Sequence, residues 1–302
     1  MKFSIIICTY NTNFELIKYT IDSILCQNMN EYEIIVCDDG STNNNNELII
    51  EYFRSKSFEN FKMIMNEENK GTVKNIESGL KYSKGEYIKP IGAGDAFKDN
   101  NSLEKIYNFM KHNQSKCTFC DLECFVNYNN ERKSINKCIP IFKRNYLYNK
   151  KDSILNMKKN IIVINDHISG ASMFYERKTL LKYLTIIDKY VLYMEDLVQY
   201  LFLLDGINID YYPNACIKYE IGTGLSTNAS MGNNKRMSND KRSFLRYIFN
   251  EYENDIYVKR RLKLEYIENT VNNKILKGII KSLNEPKWLY LKIIRIRGQI
   301  CK

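Results

Sequence analysis

Residues 69–95 read NKGTVKNIESGLKYSKGEYIKPIGAGD and predict a loop, a helix, a turn and a strand in close succession. The helix is indicated by apolar residues that recur at the spacing of one helical face, namely Val73, Ile76 and Leu80. Gly85 is typical of the turn that ends such a helix. The apolar run at 87–91 predicts a strand, which leads through two glycines to Asp95. In open α/β sheets ligands bind at the carboxyl ends of the strands, so this stretch predicts both the fold class and the place of its site.

Strands and amphipathic helices alternate along the first 110 residues, with this stretch among them. Besides 87–91, apolar runs predict strands at residues 3–8, 33–37 and 61–65. Amphipathic patterns predict helices after the strands, near residues 17–25, 47–54, 73–80 and 103–110. Such alternation favours a mainly parallel sheet with helices on both faces. The loop after the first strand contains no glycine, so the G-x-G-x-x-G fingerprint is absent and NAD or FAD binding is disfavoured.

The second part of the chain departs from this alternation. Residues 117–145 read as strand-like segments joined by polar turns, which predicts a small antiparallel extension of the sheet. Further predicted elements follow in order: a helix near 178–184, a buried helix at 197–204, a strand near 207–212 and a polar loop at 222–240. From Lys241 the chain reads as basic helices. We therefore predict an α/β domain at residues 1–225 and a basic helical C-terminal extension at 226–302.

Composition restricts the class of protein and its expected partners. With 302 residues and 44% hydrophobic content, the chain can form a globular core. The first residues lead directly into a strand rather than a targeting segment, and the nine cysteines are irregularly spaced. Both features predict a cytoplasmic protein with free thiols. The net charge of +10 favours acidic partners, but the chain lacks a nucleic-acid-binding module, so no nucleic acid is expected beyond a bound nucleotide.

A cysteine cluster, Cys117-x-x-Cys120-x-x-x-Cys124, has the spacing of some metal sites. Cys138 would have to be the fourth ligand. Because the segment reads as a strand, its side chains alternate between opposite faces, and buried thiols are the expected outcome.

Three acidic sites lie at predicted strand ends or helix starts. Asp38-Asp39 ends the second strand, Asp95 follows the fourth, and Glu195-Asp196 precedes the buried helix. A mainly parallel sheet would gather them at one edge, where carboxylates can hold a divalent cation and accept a proton from a nucleophile. Taken singly, each is also consistent with a polar turn or a charged helix start. Their combination favours a functional site.

The ordered motifs of the chain resemble the inverting family 2 glycosyltransferases of the GT-A fold. The resemblance covers about residues 3–225, and it rests on SIIICTYN at 4–11, CDDGS at 37–41, NKG at 69–71 with Asn75 and Gly79, KGEYI at 84–88, and Glu195-Asp196. It implies a GT-A, Rossmann-like, mainly parallel sheet flanked by helices. It also implies transfer of a hexosyl or hexosaminyl group from a nucleotide-sugar donor, with UDP expected, to a glycan or lipid-linked acceptor in polysaccharide or glycolipid biosynthesis.

The resemblance also implies roles for individual residues. The residues implied to bind the nucleotide sugar are Thr9, Tyr10, Asn11, Asp38, Asp39, Lys74, Asn75 and His167. Asp196 corresponds to the general base that takes the proton of the acceptor hydroxyl, with Glu195 as its neighbour or substitute. A catalytically silent nucleotide-sugar-binding or scaffold protein of the same fold is the alternative.

The sequence departs from the family at its metal motif. Members carry Asp-x-Asp-Asp where this chain has Gly92-Ala-Gly94-Asp95, and those aspartates hold Mn²⁺ or Mg²⁺ on the donor diphosphate. Asp95 is thus the one remaining candidate ligand in the motif. Three alternatives stay open. Asp95 and the diphosphate hold the cation with additional waters, lysine or arginine neutralises the charge, or activity is lost.

The C-terminal segment 286–302, PKWLYLKIIRIRGQICK, mixes apolar and basic residues around Trp288. As a helix it could lie on an anionic membrane surface, which would place the protein at the inner face of the cell membrane. The alternative is that it packs on the catalytic domain and exposes a basic face.

Overall fold

The computed structural model describes residues 1–43, 45–128, 131–135, 140–142, 153–222 and 231–300. Its strands are β1 (Phe3–Thr9), β2 (Tyr32–Asp38), β3 (Phe61–Met65), β4 (Tyr87–Gly92), β5 (Ala96–Phe97), β6 (Cys117–Tyr128), β7 (Glu131–Ile135), β8 (Met173–Glu176) and β9 (Asp210–Glu220). Its α-helices are α1 (Phe14–Leu25), α2 (Asn46–Ser55), α3 (Thr72–Tyr82), α4 (Ser102–Asn113), α5 (Ser153–Met157), α6 (Arg177–Ile187), α7 (Val198–Leu204), α8 (Met231–Glu251), α9 (Ile256–Thr270), α10 (Lys274–Asn284) and α11 (Pro286–Ile300). A π-helical segment spans Lys158–Val163, and 3-10 turns span Gly170–Ser172 and Glu195–Leu197.

The strands form one sheet in the spatial order β3-β2-β1-β4-β8-β6-β9-β5, with β7 beside β6. The four strands from β3 to β4 pair in parallel. β8 is antiparallel to both β4 and β6, and β7 is antiparallel to β6. The predicted α/β class, with its mainly parallel sheet, antiparallel extension and helical C-terminal region, is confirmed. The extension itself is mixed, because β6 and β9 pair in parallel.

Helices cover both faces of the sheet, as alternate residues of its strands require. In β1, Ile6 packs with residues of α3, α6 and α7 on one face, whereas Ile5 and Ile7 pack with residues of α1 and α4 on the other. All three isoleucines are fully buried. The continuous apolar run at the start of the chain is therefore explained by a central strand buried on both faces. This arrangement aligns the carboxyl ends of β1, β2 and β4 at one edge of the sheet.

Two predicted boundaries are wrong. Residues 231–240 were expected in a polar loop but form the first turns of α8. The helix is anchored further along, where Phe244, Leu245 and Ile248 are buried in the core. The strand expected near 207–212 begins at Asp210 and continues to Glu220, because its later residues pair with β6 and β5. The predicted domain boundary at 225/226 lies outside the described residues, so the division remains a prediction.

The C-terminal helices pack against the π-helical segment through a third apolar cluster. Its buried members are Val163, Ile164, Leu264, Ile267 and Leu291. In the part of the chain that the structure describes, no helix combines the length and the apolar character needed to cross a bilayer. The thiols of Cys117, Cys120 and Cys124 are all buried on β6, and Cys138 lies outside the described residues.

Candidate active site

The loops after β1 and β2 are tied together by hydrogen bonds around Asp38. Thr9 Oγ1 donates to Asp38 Oδ1 at 3.0 Å, and the Ser41 N–H donates to Asp38 Oδ2 at 2.9 Å. Asn11 adopts a left-handed backbone (φ 48°) and its N–H donates to Ser41 Oγ at 2.7 Å. Asn11 Oδ1 in turn accepts the Thr42 N–H at 3.0 Å. These hydrogen bonds hold the predicted nucleotide-binding loop in place, and the Tyr10 side chain projects from it into solvent.

Asp39 turns away from Asp38 and holds the loop that precedes α3. Its two carboxylate oxygens accept the backbone N–H groups of Lys70 and Gly71, each at 2.9 Å. Burial raises the pKa of Asp39, and these donors partly offset the increase. Both adjacent carboxylates are therefore engaged with the fold itself. Any contact they make with a nucleotide uses their remaining acceptor capacity.

Gly71 joins this loop to the segment that carries the second acidic pair. Its φ of +87° lies in the left-handed region, and an added Cβ would stand 2.5 Å from the backbone oxygen of Leu192. The Val73 N–H donates to the same oxygen at 3.0 Å. A side chain at position 71 would therefore push the two segments apart.

Of the two predicted residues at the start of α3, one faces solvent and the other is internal. Lys74 is exposed. Asn75 is buried, with Nδ2 donating to Cys37 O at 3.0 Å and Oδ1 accepting from Asn66 at 3.1 Å. The structure therefore leaves Lys74 available to a ligand, and Asn75 supports the loop from beneath.

Glu195 and Asp196 occupy the 3-10 turn that leads into α7. Gln199 Nε2 donates to the Asp196 carbonyl at 2.6 Å, which fixes the turn to the helix. The preceding backbone is held by Asp240 of α8, whose Oδ2 accepts the N–H groups of Tyr193 at 2.6 Å and Met194 at 3.1 Å. α8 therefore positions the acidic pair.

Different surroundings distinguish the two carboxyl groups of the pair. Burial raises the pKa of both. For Asp196 the rise is opposed by His167, whose Nε2 lies 3.9 Å from Asp196 Oδ2, and by the Gly170 N–H. The pKa of Glu195 is raised further by the charge of Asp196. His167 and the Gly170 N–H therefore favour the ionised form of Asp196, whereas the charge of Asp196 favours the protonated form of Glu195.

Asp95 is a buried carboxyl group at the end of the motif that lacks its other acids. Its Oδ1 accepts the Glu220 N–H at 3.0 Å, and burial raises its pKa to about 7. Glu220 lies beside it, because its Oε2 would be 3.0 Å from a Cβ added to Gly94. Gly92 faces open space, where Asp95 Oδ2, at 3.7 Å, is the one described atom within 4 Å of an added Cβ.

Lys89 lies between Asp95 and the acidic pair. It is fully buried on β4, and its ammonium donates to the carbonyls of Ala171 at 2.5 Å and Met173 at 3.2 Å. Burial lowers the pKa of Lys89 to about 8, and its positive charge lowers the pKa of Asp95 and of Glu195. One cation thus influences two of the three acidic sites and also anchors the turn at 170–172.

The carboxyl end of β1 is where the acidic sites meet. Cys8 at this end has its pKa raised by burial and by the charges of Glu195 and Asp39. Lys89 connects Glu195 to Asp95 as described above. The structure therefore brings the predicted acidic sites to one edge of the sheet.

Comparison with known proteins identifies the family. A family model described as glycosyl transferase family 2 matches residues 4–174, more than half of the chain. The chain belongs to glycosyl transferase family 2. The predicted family and the predicted enzyme class, a glycosyltransferase, are thereby confirmed.

Two relatives match this glycosyltransferase over very different lengths. An uncharacterised glycosyltransferase of Haemophilus influenzae is 29% identical over 290 residues, covering 92% of this chain and 84% of the relative. The poly(ribitol-phosphate) beta-glucosyltransferase of Bacillus spizizenii is 36% identical over 128 residues, covering 41% of this chain. That match spans 19% of the Bacillus protein's own length.

A solved structure shows the same architecture. TarS residues 1–349 of Staphylococcus aureus, in complex with UDP-GlcNAc, superimposes with a TM-score of 0.57. The match covers 94% of this chain and 71% of TarS at 19% identity. The GT-A fold predicted for this glycosyltransferase is thereby confirmed.

The glycosyltransferase offers few protein ligands for a divalent cation. Among the described residues, no cluster of three or more His, Cys, Asp or Glu side chains is placed to hold a metal ion. Asp95 and Glu220 nevertheless form an adjacent pair, with open space in front of Gly92. Mg²⁺ is commonly held by one or two carboxylates together with substrate phosphates and waters. The residues therefore fit a cation that arrives with a diphosphate.

Sequence reasoning missed three residues that shape this glycosyltransferase site: Lys89, Glu220 and Asp240. Lys89 was detectable as the one charged side chain inside an apolar strand. Glu220 and Asp240 lay in segments whose predicted boundaries were wrong. Their roles depend on pairings between distant parts of the chain.

Proposed function

We propose that the protein transfers a sugar, with inversion, from a UDP-sugar to a hydroxyl group of a glycan or lipid-linked acceptor in polysaccharide or glycolipid biosynthesis. The observation that carries the proposal is the asymmetric acidic pair at the carboxyl edge of the sheet. Asp196 is partly exposed and lies beside His167, which together with the Gly170 N–H favours its ionised form. A carboxylate in that state is suited to act as a general base. The similarity to a poly(ribitol-phosphate) glucosyltransferase and to TarS bound to UDP-GlcNAc supports the choice of donor and acceptor class.

The proposed reaction is a single displacement. The acceptor oxygen forms a bond to the anomeric carbon while the bond from that carbon to the diphosphate oxygen breaks. Asp196 takes the hydroxyl proton, and the nucleoside diphosphate leaves with the bonding electrons. Attack opposite the leaving group inverts the anomeric configuration. The hydrogen-bonded loops that contain Thr9, Asn11 and Asp38 would bind the nucleotide, together with the exposed Lys74.

The product's anomeric configuration tests this mechanism directly. An α-linked UDP-sugar is incubated with the enzyme and a set of glycan acceptors, and the early product is examined by ¹H NMR. We expect a β-linked product. An α-linked product would contradict a single displacement.

For the cation, we propose that Asp95 holds Mn²⁺ or Mg²⁺ together with the donor diphosphate, with Glu220 beside it. A bound cation would neutralise negative charge on the departing diphosphate. If this placement is correct, Gly92→Asp adds a carboxylate in the open space next to Asp95 Oδ2 and tightens Mn²⁺ binding in the presence of UDP. The matched control is Gly94→Asp, which is strained at φ +106° and meets Glu220 Oε2.

Thermal stabilisation by Mn²⁺ plus UDP distinguishes these variants without an activity measurement. We expect stabilisation at lower Mn²⁺ concentration for Gly92→Asp and no improvement for Gly94→Asp. If Asp95→Ala leaves the Mn²⁺ response of the wild-type chain unchanged, the cation is held elsewhere.

A catalytically silent nucleotide-sugar-binding protein is the second candidate. The glycines at 92 and 94 favour it, as does the use of Asp95 Oδ1 by a backbone N–H. The retained acidic pair favours an enzyme. Hydrolysis or transfer of UDP- and GDP-sugars, measured with and without Mn²⁺, separates the two, because the silent protein binds the donor without consuming it.

We further propose that the enzyme works in the cytoplasm at the inner face of the cell membrane. The basic C-terminal segment 286–302 and the lipid-linked class of acceptor support this location. Fractionation of cells that produce the full chain tests it. Recovery of the protein in the membrane fraction, released by high salt, is the expected result.

A further inference from the structure

α10 is oriented opposite to an ordinary surface helix of a soluble protein. Two of its three lysines, Lys277 and Lys281, face inward. The Lys281 ammonium pairs with Glu268 of α9 and lies 5.2 Å from the centre of the Trp288 ring. Lys277 Nζ donates to the Glu268 carbonyl at 2.8 Å. Lys281 is 7% exposed, so this inward packing is nearly complete.

The apolar side chains of α10 face outward and form what we call the outer stripe. Its members and their exposed fractions are Ile275 (76%), Leu276 (50%), Ile279 (51%) and Leu283 (78%). At about 100° per residue these positions fall within one arc of about 100° on the helix. A helix that packs on a core in water buries such a stripe and exposes its lysines. The reversed orientation leaves the outer stripe exposed to solvent.

α11 packs inward and also carries exposed apolar side chains. Leu291 is fully buried in the third cluster, and Trp288 packs against that cluster. Leu289, Tyr290 and Ile293 are exposed. Among its described side chains, α11 therefore packs in part on the rest of the chain, while its contact with a membrane remains a prediction. Among the side chains that the structure describes, the most exposed large apolar ones, Ile275 and Leu283, belong to α10, where the sequence had not suggested a contact.

The positive charge of the C-terminal helices favours an anionic partner for the outer stripe. Residues 271–302 contain eight Lys or Arg residues and a single acidic residue, Glu285. Glu285 is itself bound by Arg260, whose Nη2 donates to Glu285 Oε2 at 2.7 Å. A second copy of the chain would bring two such basic surfaces together, which repel. Anionic lipid headgroups complement the charge, and their acyl boundary can accept the outer stripe.

We propose that the outer stripe of α10 inserts into the headgroup region of an anionic lipid bilayer, with exposed basic side chains of the same region, such as Lys274 and Lys292, contacting the lipid phosphates. Exposed apolar side chains on neighbouring α11 enlarge the inserted surface. This docking does not depend on the proposed sugar transfer, since it involves none of the residues of the candidate active site.

Vesicle flotation of the full chain tests the proposal. The vesicles contain either phosphatidylcholine alone or phosphatidylcholine with about 30% phosphatidylglycerol. The test variant is Ile275→Ser/Ile279→Ser/Leu283→Ser. The matched control replaces three exposed apolar residues on other helices, Leu48→Ser/Tyr82→Ser/Leu181→Ser. Thermal melting checks that each variant is folded, and the single variant Leu283→Ser replaces the triple variant if that one fails to fold.

We expect the wild-type chain and the control variant to float with anionic vesicles and not with neutral ones. The triple variant should lose at least about tenfold in binding, and Leu283→Ser should lose a measurable part. Equal flotation of wild type and α10 variants would overturn the proposal. A wild-type dimer in light scattering that becomes monomeric in the α10 variants would also overturn it, by showing that a second copy covers the stripe. Transfer to a soluble acceptor should be unchanged in the α10 variants, so a failure of docking is distinguishable from a failure of the proposed reaction.

Discussion

Asp95 is an acid whose raised pKa has a consequence for stability. Burial raises the pKa of Asp95 from 3.8 to about 7. Between these two values the folded state binds more protons than the unfolded state, so this residue's contribution to stability falls as pH rises through that window. Above pH 7 the native state contains an unfavourable buried carboxylate, and below 3.8 this contribution no longer changes with pH.

Asp95→Asn should therefore stabilise the chain at pH 8 by up to about 4 kcal/mol, since the pKa is raised by about three units and one unit corresponds to about 1.4 kcal/mol, while asparagine can still accept the Glu220 N–H. The gain should shrink steadily towards pH 4. Urea unfolding of both proteins at pH 8, 6 and 4 measures it. A variant that is less stable than wild type at pH 8 would show that the ionised carboxylate does not destabilise the native state.

Lys89 is a positioning residue because it acts through the turn at 170–172 rather than by touching substrate. Lys89→Met removes the donor to Ala171 O and the cation that favours ionisation of Asp95 and Glu195. We expect kcat to fall about tenfold or more, because the turn at 170–172 beside Glu195-Asp196 loses its anchor, and KM for the donor to change little. The control is Lys98→Met, which removes an exposed lysine paired with Glu123. A wild-type kcat, or a loss confined to KM, would contradict this role.

At the scale of elements, α8 makes the largest unforeseen contribution to the site. Its first residues, MGNNKRMSND, contain no apolar periodicity, so the sequence favoured a loop. The helix forms because later residues reach the core and because Asp240 binds the backbone ahead of Glu195. The extra strand length after Asp210 has the same origin, since it depends on pairing with β6. In both cases distant contacts override local pattern.

Asp240→Ala should loosen the acidic turn. It removes the acceptor of two backbone N–H groups, which we expect to cost about 1–2 kcal/mol of stability and to lower kcat about tenfold. Asp240→Asn retains an acceptor oxygen and should restore most of both. Chemical unfolding and steady-state kinetics of the two variants provide the comparison. If asparagine is as damaging as alanine, the contribution is electrostatic rather than positional.

For the whole molecule, local sequence patterns predicted the sheet and the edge that carries the site. The strands β1, β2 and β4 are buried on both faces and are therefore rich in apolar residues. For this reason they could be predicted from the sequence alone. The same is true of the acids that follow them. Lys89 is different, because its significance appears only when β8 supplies the carbonyl of Met173 and the adjoining turn that of Ala171.

The different roles of Glu195 and Asp196 could also be distinguished only in the folded chain. The sequence suggested Asp196 as base and Glu195 as neighbour or substitute. The surroundings separate them, because His167 and the Gly170 N–H oppose the rise in the pKa of Asp196, whereas the charge of Asp196 adds to the rise in the pKa of Glu195. These neighbours come from the loop before β8, which no local pattern connects to α7.

The most direct test of the account compares Asp196→Asn with Glu195→Gln in a UDP-sugar transfer assay, with donor binding measured in parallel. Asp196→Asn should lower kcat by about 10²–10⁴-fold, the contribution typical of a general base, while donor affinity stays close to wild type. Glu195→Gln mimics the protonated state of that residue and should retain most of the rate. Turnover by Asp196→Asn comparable to wild type, or a loss confined to Glu195→Gln, would contradict the assignment of Asp196 as the base.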